Sequence, residues 1–319
     1  QAVGAHLGDV DDVWTRASLI VKVKEPQAQE RVRLRRDQVL FTYLHLAPDP
    51  VQTRDLMSSG ALCIAYETVT DRLGRLPLLT PMSEIAGRLS IQVGALALSS
   101  PQGGRGVLLA GVPGVLPARV LILGGGVVGR NAARVALGMG ADVTVIDRAI
   151  PVLQELDALF RGRVRTQYAT ASALEAVLPS TDLLIGAVLI PGAAAPRLMT
   201  RQLLRSMPQG AAFVDVAIDQ GGCSETSRVT THDQPTYREE GVVHYCVANM
   251  PGSVARTATQ ALVNATLPFV VALAEDPLAA CRSDPGLRAG INIYDGKLVN
   301  RGVGEAQHLE VSAIEDILR

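Results

Sequence analysis

Short apolar runs alternate along this chain with longer stretches in which apolar residues recur every three or four positions. Runs of four to eight residues suit strands, a 3.6-residue period suits helices, and their alternation suits βαβ units on a parallel sheet. Three runs come early, at 19–25 (LIVKVKE), 38–46 (QVLFTYLHL) and 61–69 (ALCIAYETV). Six more follow at 118–124, 142–147, 163–169, 183–188, 211–217 and 242–248, enough for one complete doubly wound sheet. Between the two sets, Ile85, Leu89, Val93 and Leu96 stand at helical spacing and predict a helix that starts near Ser83, with Glu84 in its first turn. The glycines and prolines after it read as a loop and hairpin. A second helical pattern, from about Ser253 to Ala274, is expected to carry the chain back to the first domain. The expected fold is α/β with two domains: residues 1–78 begin one, 79–254 form the other with its interdomain helix, and 255–319 make a helical return that leaves the first domain discontinuous.

Composition narrows the partners. At 319 residues and 48% hydrophobic, the chain has enough apolar material for two cores. A formal net charge of −1, with no stripe of Lys or Arg, argues against nucleic acid and for a small-molecule ligand. The longest apolar tract, Gly106 to Gly129, is broken by Arg119, Pro113, Pro117 and many glycines and does not suit a membrane span. Cys63, Cys223, Cys246 and Cys281 are scattered without metal-ligand spacing, so no metal is expected, and they read as reduced thiols of a cytosolic protein. Gln1 in place of Met leads to the expectation that something upstream has been removed.

The densest signal is RVLILGGGVVGRNAARVALGMGADVTVIDR, residues 119–148. Gly124, Gly126 and Gly129 form G-x-G-x-x-G between a strand and a helix. The first allows the tight turn, the second lets a pyrophosphate reach the backbone, and the third lets helix and strand pack closely. The helix start then offers N–H groups to the phosphates. Asp147 ends the next strand, about 20 residues on, where a carboxylate accepts from a ribose 2′-hydroxyl and repels a 2′-phosphate. A Rossmann-type domain binding NAD rather than NADP is therefore expected.

Candidate chemistry gathers at strand ends. Only three lysines occur, Lys22, Lys24 and Lys297, and two of them sit in the first apolar run, where alternation would put both on one face. His45 ends the second run. Ligands collect beyond the carboxyl ends of parallel strands, so Lys24 and His45 are candidates for one crevice, although each also suits a structural or solvated role. Asp215 reads as a buried structural acid, while Asp219, on the glycine-rich turn DQGG, is placed to act on a substrate beside a nicotinamide. Asn249 and Met250 lie on a Pro-Gly turn where an amide can meet the carboxamide, and IGAVLIPG at 185–192 can flank the nicotinamide ribose.

Together these segments resemble the alanine dehydrogenases. The stretches that carry the resemblance include LIVKVKEP, LFTYLHLA, AYETV, LPLLTPMSEIAGRL, QGGRGVLLAGVPGV, the glycine loop, IGAVLIPG, VDVAIDQGGCSETSR and HYCVANMPGSV, which together run along nearly the whole chain. The resemblance implies reversible NAD-dependent conversion of L-alanine to pyruvate and ammonium. It assigns substrate binding to Lys24, acid/base work and substrate contact to His45, and a catalytic role to Asp219. It gives NAD contacts to Ser83, Gly124, Gly126, Val127, Val128, Gly129, Asp147, Val188, Leu189, Val216, Asp219, Asn249 and Met250. It further implies a cytoplasmic homo-oligomer, a hexamer. Transhydrogenase subunits share the ancestry, but their arginine-glutamine-aspartate loop has no counterpart in TPMSEIAGRL. The family's opening strand-helix-strand segment, with an arginine that clamps the substrate carboxylate, also has no match here. The first domain is accordingly expected to be truncated at its N-terminus, and the alternatives are an NAD(H)-binding transhydrogenase-like subunit or an NAD-binding module without turnover.

Overall fold

The computed structural model describes residues 2–188 and 195–317, which fall into two compact units. The first unit draws on Gln1–Leu79 and Leu262–Arg319, the second on Thr80–Ile190 and Ala194–Ala261.

In the first unit β1 (Leu19–Val21), β2 (Val39–Thr42) and β3 (Leu62–Ala65) run parallel, with Leu19 opposite Val39 and Val39 opposite Leu62. All four residues of both β2 and β3 are buried, as central strands covered on both faces must be. β1 ends sooner than the apolar run suggests. Lys22 still donates its amide to Phe41, but no strand continues toward Pro26, so the alternation argument that put Lys22 and Lys24 on one face does not hold.

The return segment, expected to be helical, also contains strands. It holds a hairpin of β11 (Ile291–Tyr294) and β12 (Lys297–Leu298), with β11 antiparallel to β3. Asp295 and Gly296, at φ 50° and 78°, supply the two left-handed residues that a tight hairpin turn requires.

The second unit holds β4 (Arg119–Leu123), β5 (Asp142–Asp147), β6 (Arg165–Tyr168), β7 (Leu183–Gly186), β8 (Ala212–Asp215), β9 (Thr236–Glu239) and β10 (Val242–Tyr245). Their order is β6-β5-β4-β7-β8-β10-β9, parallel except for β9. This is the doubly wound order, reversing between β4 and β7, with one antiparallel edge strand added. That seventh strand corrects the expected six. Its sequence TYRE is only partly buried and carries no apolar run.

Helix α1 (Thr80–Ala97) starts three residues before Ser83, because Pro81 suits a first turn that needs no amide hydrogen there. Glu84 is consequently not in the first turn, and Leu96 faces solvent rather than the core. The buried face is small instead. A Cβ on Gly87 would lie 2.2 Å from the Val128 carbonyl oxygen of α2 (Val127–Gly138), and one on Gly94 would lie 2.6 Å from a Leu183 methyl of β7. Arg88 donates to Asn131 on α2 at 2.9 Å and fastens the pair.

Helix α3 (Ala255–Glu275) follows β10 and contains Pro268. Together with the turn before it, Met250–Glu275 is, among the described residues, the single stretch long and apolar enough to cross a membrane by length and composition. Val263, Leu267 and Val271 recur every four residues on it and are exposed.

His244 on β10 is fully buried. It stacks on Tyr237, accepts from the Thr226 hydroxyl at Nε2 (2.8 Å), and donates from Nδ1 to Val242 O (3.0 Å). Burial holds its pKa below the ordinary 6.5. As pH drops through 6.5 the unfolded chain binds a proton that the folded chain refuses, so stability is lost on acidification.

Two outcomes follow for unfolding measurements. Gly87→Ala forces α1 off α2 and should destabilise the protein by about 1–3 kcal/mol, the usual range for overpacking. Thermal denaturation beside the parent reads this directly. For His244→Gln, the decline in stability between pH 7 and pH 5 should be shallower than in the parent by up to about 1.4 kcal/mol per pH unit. Denaturant titrations across that range test it, and identical slopes would remove His244 from the acid sensitivity.

Candidate functional site

In the second unit every candidate among the described residues lies at or after the carboxyl end of a strand or on a helix packed beside one. β4 runs into Gly124, whose φ of 97° makes the tight turn. A Cβ on Gly129 would sit 1.8 Å from Gly124 O, so α2 can begin against the loop only because position 129 is glycine. Gly126 is the N-cap of α2 and no side chain caps that helix, which leaves the first amides free for an anion. A Cβ on Gly126 would meet nothing within 4 Å, so open space lies over the cap. Val127 is exposed there, and Val128 packs on the core. These features fit a bound pyrophosphate.

Asp147, at the end of β5, accepts from Gly125 N (2.7 Å) and Ala149 N (2.8 Å) and stays half-buried. It thereby ties the glycine loop to its own strand, and its oxygens keep further lone pairs for a ribose hydroxyl. Ser83 lies four residues before Gly87 on α1, on the face that meets Val128. Val188 follows β7 and packs on the core, whereas Leu189 lies outside the described residues.

β8 ends at Asp215, which is fully buried and accepts from Ala217 N, Cys223 N and the Ser227 hydroxyl. Burial pushes its carboxyl above the usual carboxylate range, against the pull of those donors. It is the structural acid expected, and it shapes the turn Val216–Gln220 that lifts Asp219 to the surface. Asp219 accepts the Asn249 amide at 3.1 and 3.3 Å, joining the loop after β8 to the loop after β10. Asn249 is exposed with φ 55°, and Val216 packs against the core. The Met250 side chain is 2% exposed and belongs to the core.

In the first unit Lys24, His45 and Glu67 follow three neighbouring parallel strands, β1, β2 and β3. The two lysines differ. Lys22 is engaged by Glu30, while the Lys24 ammonium lies 3.8 Å from Glu25 with its side chain 44% exposed. Lys24 is therefore the accessible cation. The Thr42 hydroxyl donates to Lys24 O at 2.9 Å and secures that segment to β2.

His45 is half-buried with φ 48°, and its ring stacks on Tyr43 at 5.8 Å. Tyr43 donates to Leu78 O at 2.7 Å. Burial, aided by the Glu67 charge, holds its hydroxyl far above the usual phenol range. Glu67 accepts the amides of Leu44 (3.1 Å) and His45 (2.7 Å). Neither Tyr43 nor Glu67 was singled out by sequence reasoning. The sequence offers no signal for Glu67, which falls inside the apolar run 61–69, whereas the strand itself ends at Ala65.

Comparison with known proteins covers both units. The family described as "Alanine dehydrogenase/PNT, N-terminal domain" matches residues 1–86, and "Alanine dehydrogenase/PNT, C-terminal domain" matches residues 90–301. An alanine dehydrogenase of Halomonas elongata is 60% identical over 97% of this chain and 84% of its own length. One from Mycobacterium tuberculosis is 54% identical over 95% of this chain and 82% of its own length. A solved L-alanine dehydrogenase superposes with TM-score 0.89 at 51% identity, covering 96% of this chain and 85% of that one. A transhydrogenase from Sinorhizobium meliloti, at 23% identity and TM-score 0.74, shares the fold. With its two domain profiles matched in sequence order and more than half of its positions identical to relatives along nearly its whole length, the chain belongs to the alanine dehydrogenase family.

Proposed function

We propose that the chain catalyses the reversible NAD-dependent oxidative deamination of L-alanine. Alanine, NAD and water give pyruvate, ammonium, NADH and a proton. The observation that carries this reading is the placement of Lys24 and His45 beyond the ends of adjacent parallel strands, in a chain alike to alanine dehydrogenases through both domains. The nicotinamide ring, when bound, accepts the hydride of the substrate's alpha carbon.

The chain's own residues bind, orient and move protons. Lys24 pairs with the substrate carboxylate and stabilises the oxygen that becomes the ketone of pyruvate, a task suited to a compact ammonium. After hydride loss from the neutral amine the substrate is an iminium. His45 takes a proton from water as the water oxygen bonds to that carbon, passes it to nitrogen, and takes the hydroxyl proton as the carbonyl forms and the carbon–nitrogen bond breaks to release ammonia. Asp219 carries the catalytic role that the family resemblance assigns to it. Gly124, Gly126 and Gly129 with the start of α2 hold the pyrophosphate, and Asp147 holds the adenosine ribose. Ser83, Val127, Val128, Val188, Val216 and the backbone of Asn249 and Met250 complete the cofactor's surroundings in this reading, and Leu189 is assigned there by resemblance.

A homo-oligomer, of the hexameric size the family resemblance implies, belongs to the same reading. The exposed stripe Val263, Leu267 and Val271 on α3 is the kind of surface that a second subunit covers. A cytoplasmic location agrees with four buried cysteines, none in a disulfide.

Oxidation of NADH by the purified protein that requires both pyruvate and ammonium tests the activity, and its absence would sink the reading. NADH should bind more tightly than NADPH, and Asp147→Gly should narrow the gap. Equal affinities in the parent would refute the ribose assignment. His45→Asn, which suits a left-handed backbone, should reduce turnover by about 10²-fold or more while NADH binding is kept. Asp219→Asn should lose turnover similarly. Normal turnover in either variant would return that residue to a structural role.

A further inference from the structure

Two successive backbone amides, those of Leu44 and His45, converge on the Glu67 carboxylate, at 3.1 and 2.7 Å from the same oxygen. Leu44 N also lies 3.2 Å from the other oxygen. Such a pair of N–H groups forms a small anion-binding concavity, and here a side chain of the protein fills it. Among the described residues no cation stands within ion-pair distance of Glu67, so these amides are its principal partners.

The neighbouring carbonyls are held as well. Gln52 donates to Leu44 O at 2.5 Å, and Gln307, from the return segment, donates to Leu46 O at 2.6 Å. The backbone on both sides of His45 is thus fixed by side chains from three separate elements. This restraint has a purpose to serve, because His45 has φ 48° and a non-glycine residue enters that region only against a steric penalty. The conformation directs the imidazole. Without Glu67, two amides that have left the β2 ladder would need other acceptors, and the ordinary right-handed and extended conformations would become available to His45.

We propose that Glu67 is a positioning residue for the reaction: its carboxylate, by binding the Leu44 and His45 amides, locks the left-handed backbone that aims the His45 imidazole at the substrate. The inference rests on His45 serving as the acid/base group. Glu67 touches no reacting atom and acts only through His45. Cofactor binding is therefore separable from its effect.

The test is a double-mutant cycle on the full chain, with kcat, alanine KM and NADH affinity measured for Glu67→Gln, His45→Asn and the double variant. A glutamine can keep its oxygen on the His45 amide, but its NH2 then stands against the Leu44 N–H, which meets both oxygens of Glu67, and the charge is lost. The expected loss in kcat is about tenfold, the scale of one charge-assisted hydrogen bond, with NADH affinity within twofold of the parent and alanine KM changed no more than in His45→Asn. In the His45→Asn background the same change should leave the residual kcat unaltered. Glu67→Asp keeps the charge with a shorter reach; should the glutamine variant fail to fold, it takes its place in the cycle and is expected to lose less. Parental kcat in a folded Glu67 variant, or an equal loss with and without His45, would overturn the positioning role. Full turnover by His45→Asn alone would overturn the acid/base reading first, and the positioning role with it.

Discussion

Where a parallel strand ends, its next amides have lost their ladder partners, and a buried or half-buried N–H must find an acceptor. In this protein the acceptor is repeatedly a carboxylate. Asp147 after β5 takes the Gly125 amide of the loop that follows β4, Asp219 after β8 takes the Asn249 amide after β10, and Glu67 after β3 takes two amides after β2. Asp215 does the same within its own turn. A hydrogen bond to an ionised group contributes about 1.5–3 kcal/mol, enough to select one loop conformation over its competitors. Each clamp between loops joins neighbours in the sheet order, so loop positions inherit the strand register.

How much of this could be read from residues alone depends on how local each signal is. The glycine loop was legible because its three glycines, strand, helix and terminal acid lie within one short segment, and the contact that demands glycine at 129 is made inside that segment. Asp215 was legible as a structural acid from its place within an apolar strand. Glu67 was not, because its partners lie 22 and 23 residues away on another strand's loop, and nothing in ALCIAYETV distinguishes it from a solvated acid. β9 escaped because TYRE has no apolar face to bury, and β11 because four residues between turn formers make a weak pattern. Alternation misled at Lys22 and Lys24 because the strand stops at Val21.

Small residues govern the approach of α1 to the nucleotide-type sheet. Gly87 and Gly94 let its backbone come within contact of α2 and β7, so Ser83, one turn earlier, stands over the start of the helix that borders the glycine loop. Bulk on that face would move Ser83 outward together with the helix. The periodicity that predicted α1 from its large apolar residues therefore found the helix but not its closest packing face, which is marked by the residues with the least side chain.

The backbone at His45 also bears on which amino acid can occupy that position. Of the side chains that exchange a proton near neutral pH without a perturbing environment, imidazole is the one available. Of the non-glycine residues that enter the left-handed region with some regularity, histidine is again in the short group, beside asparagine and aspartate. Under the acid/base role proposed for His45, two independent filters, one on acidity and one on main-chain geometry, overlap in a single residue type after β2.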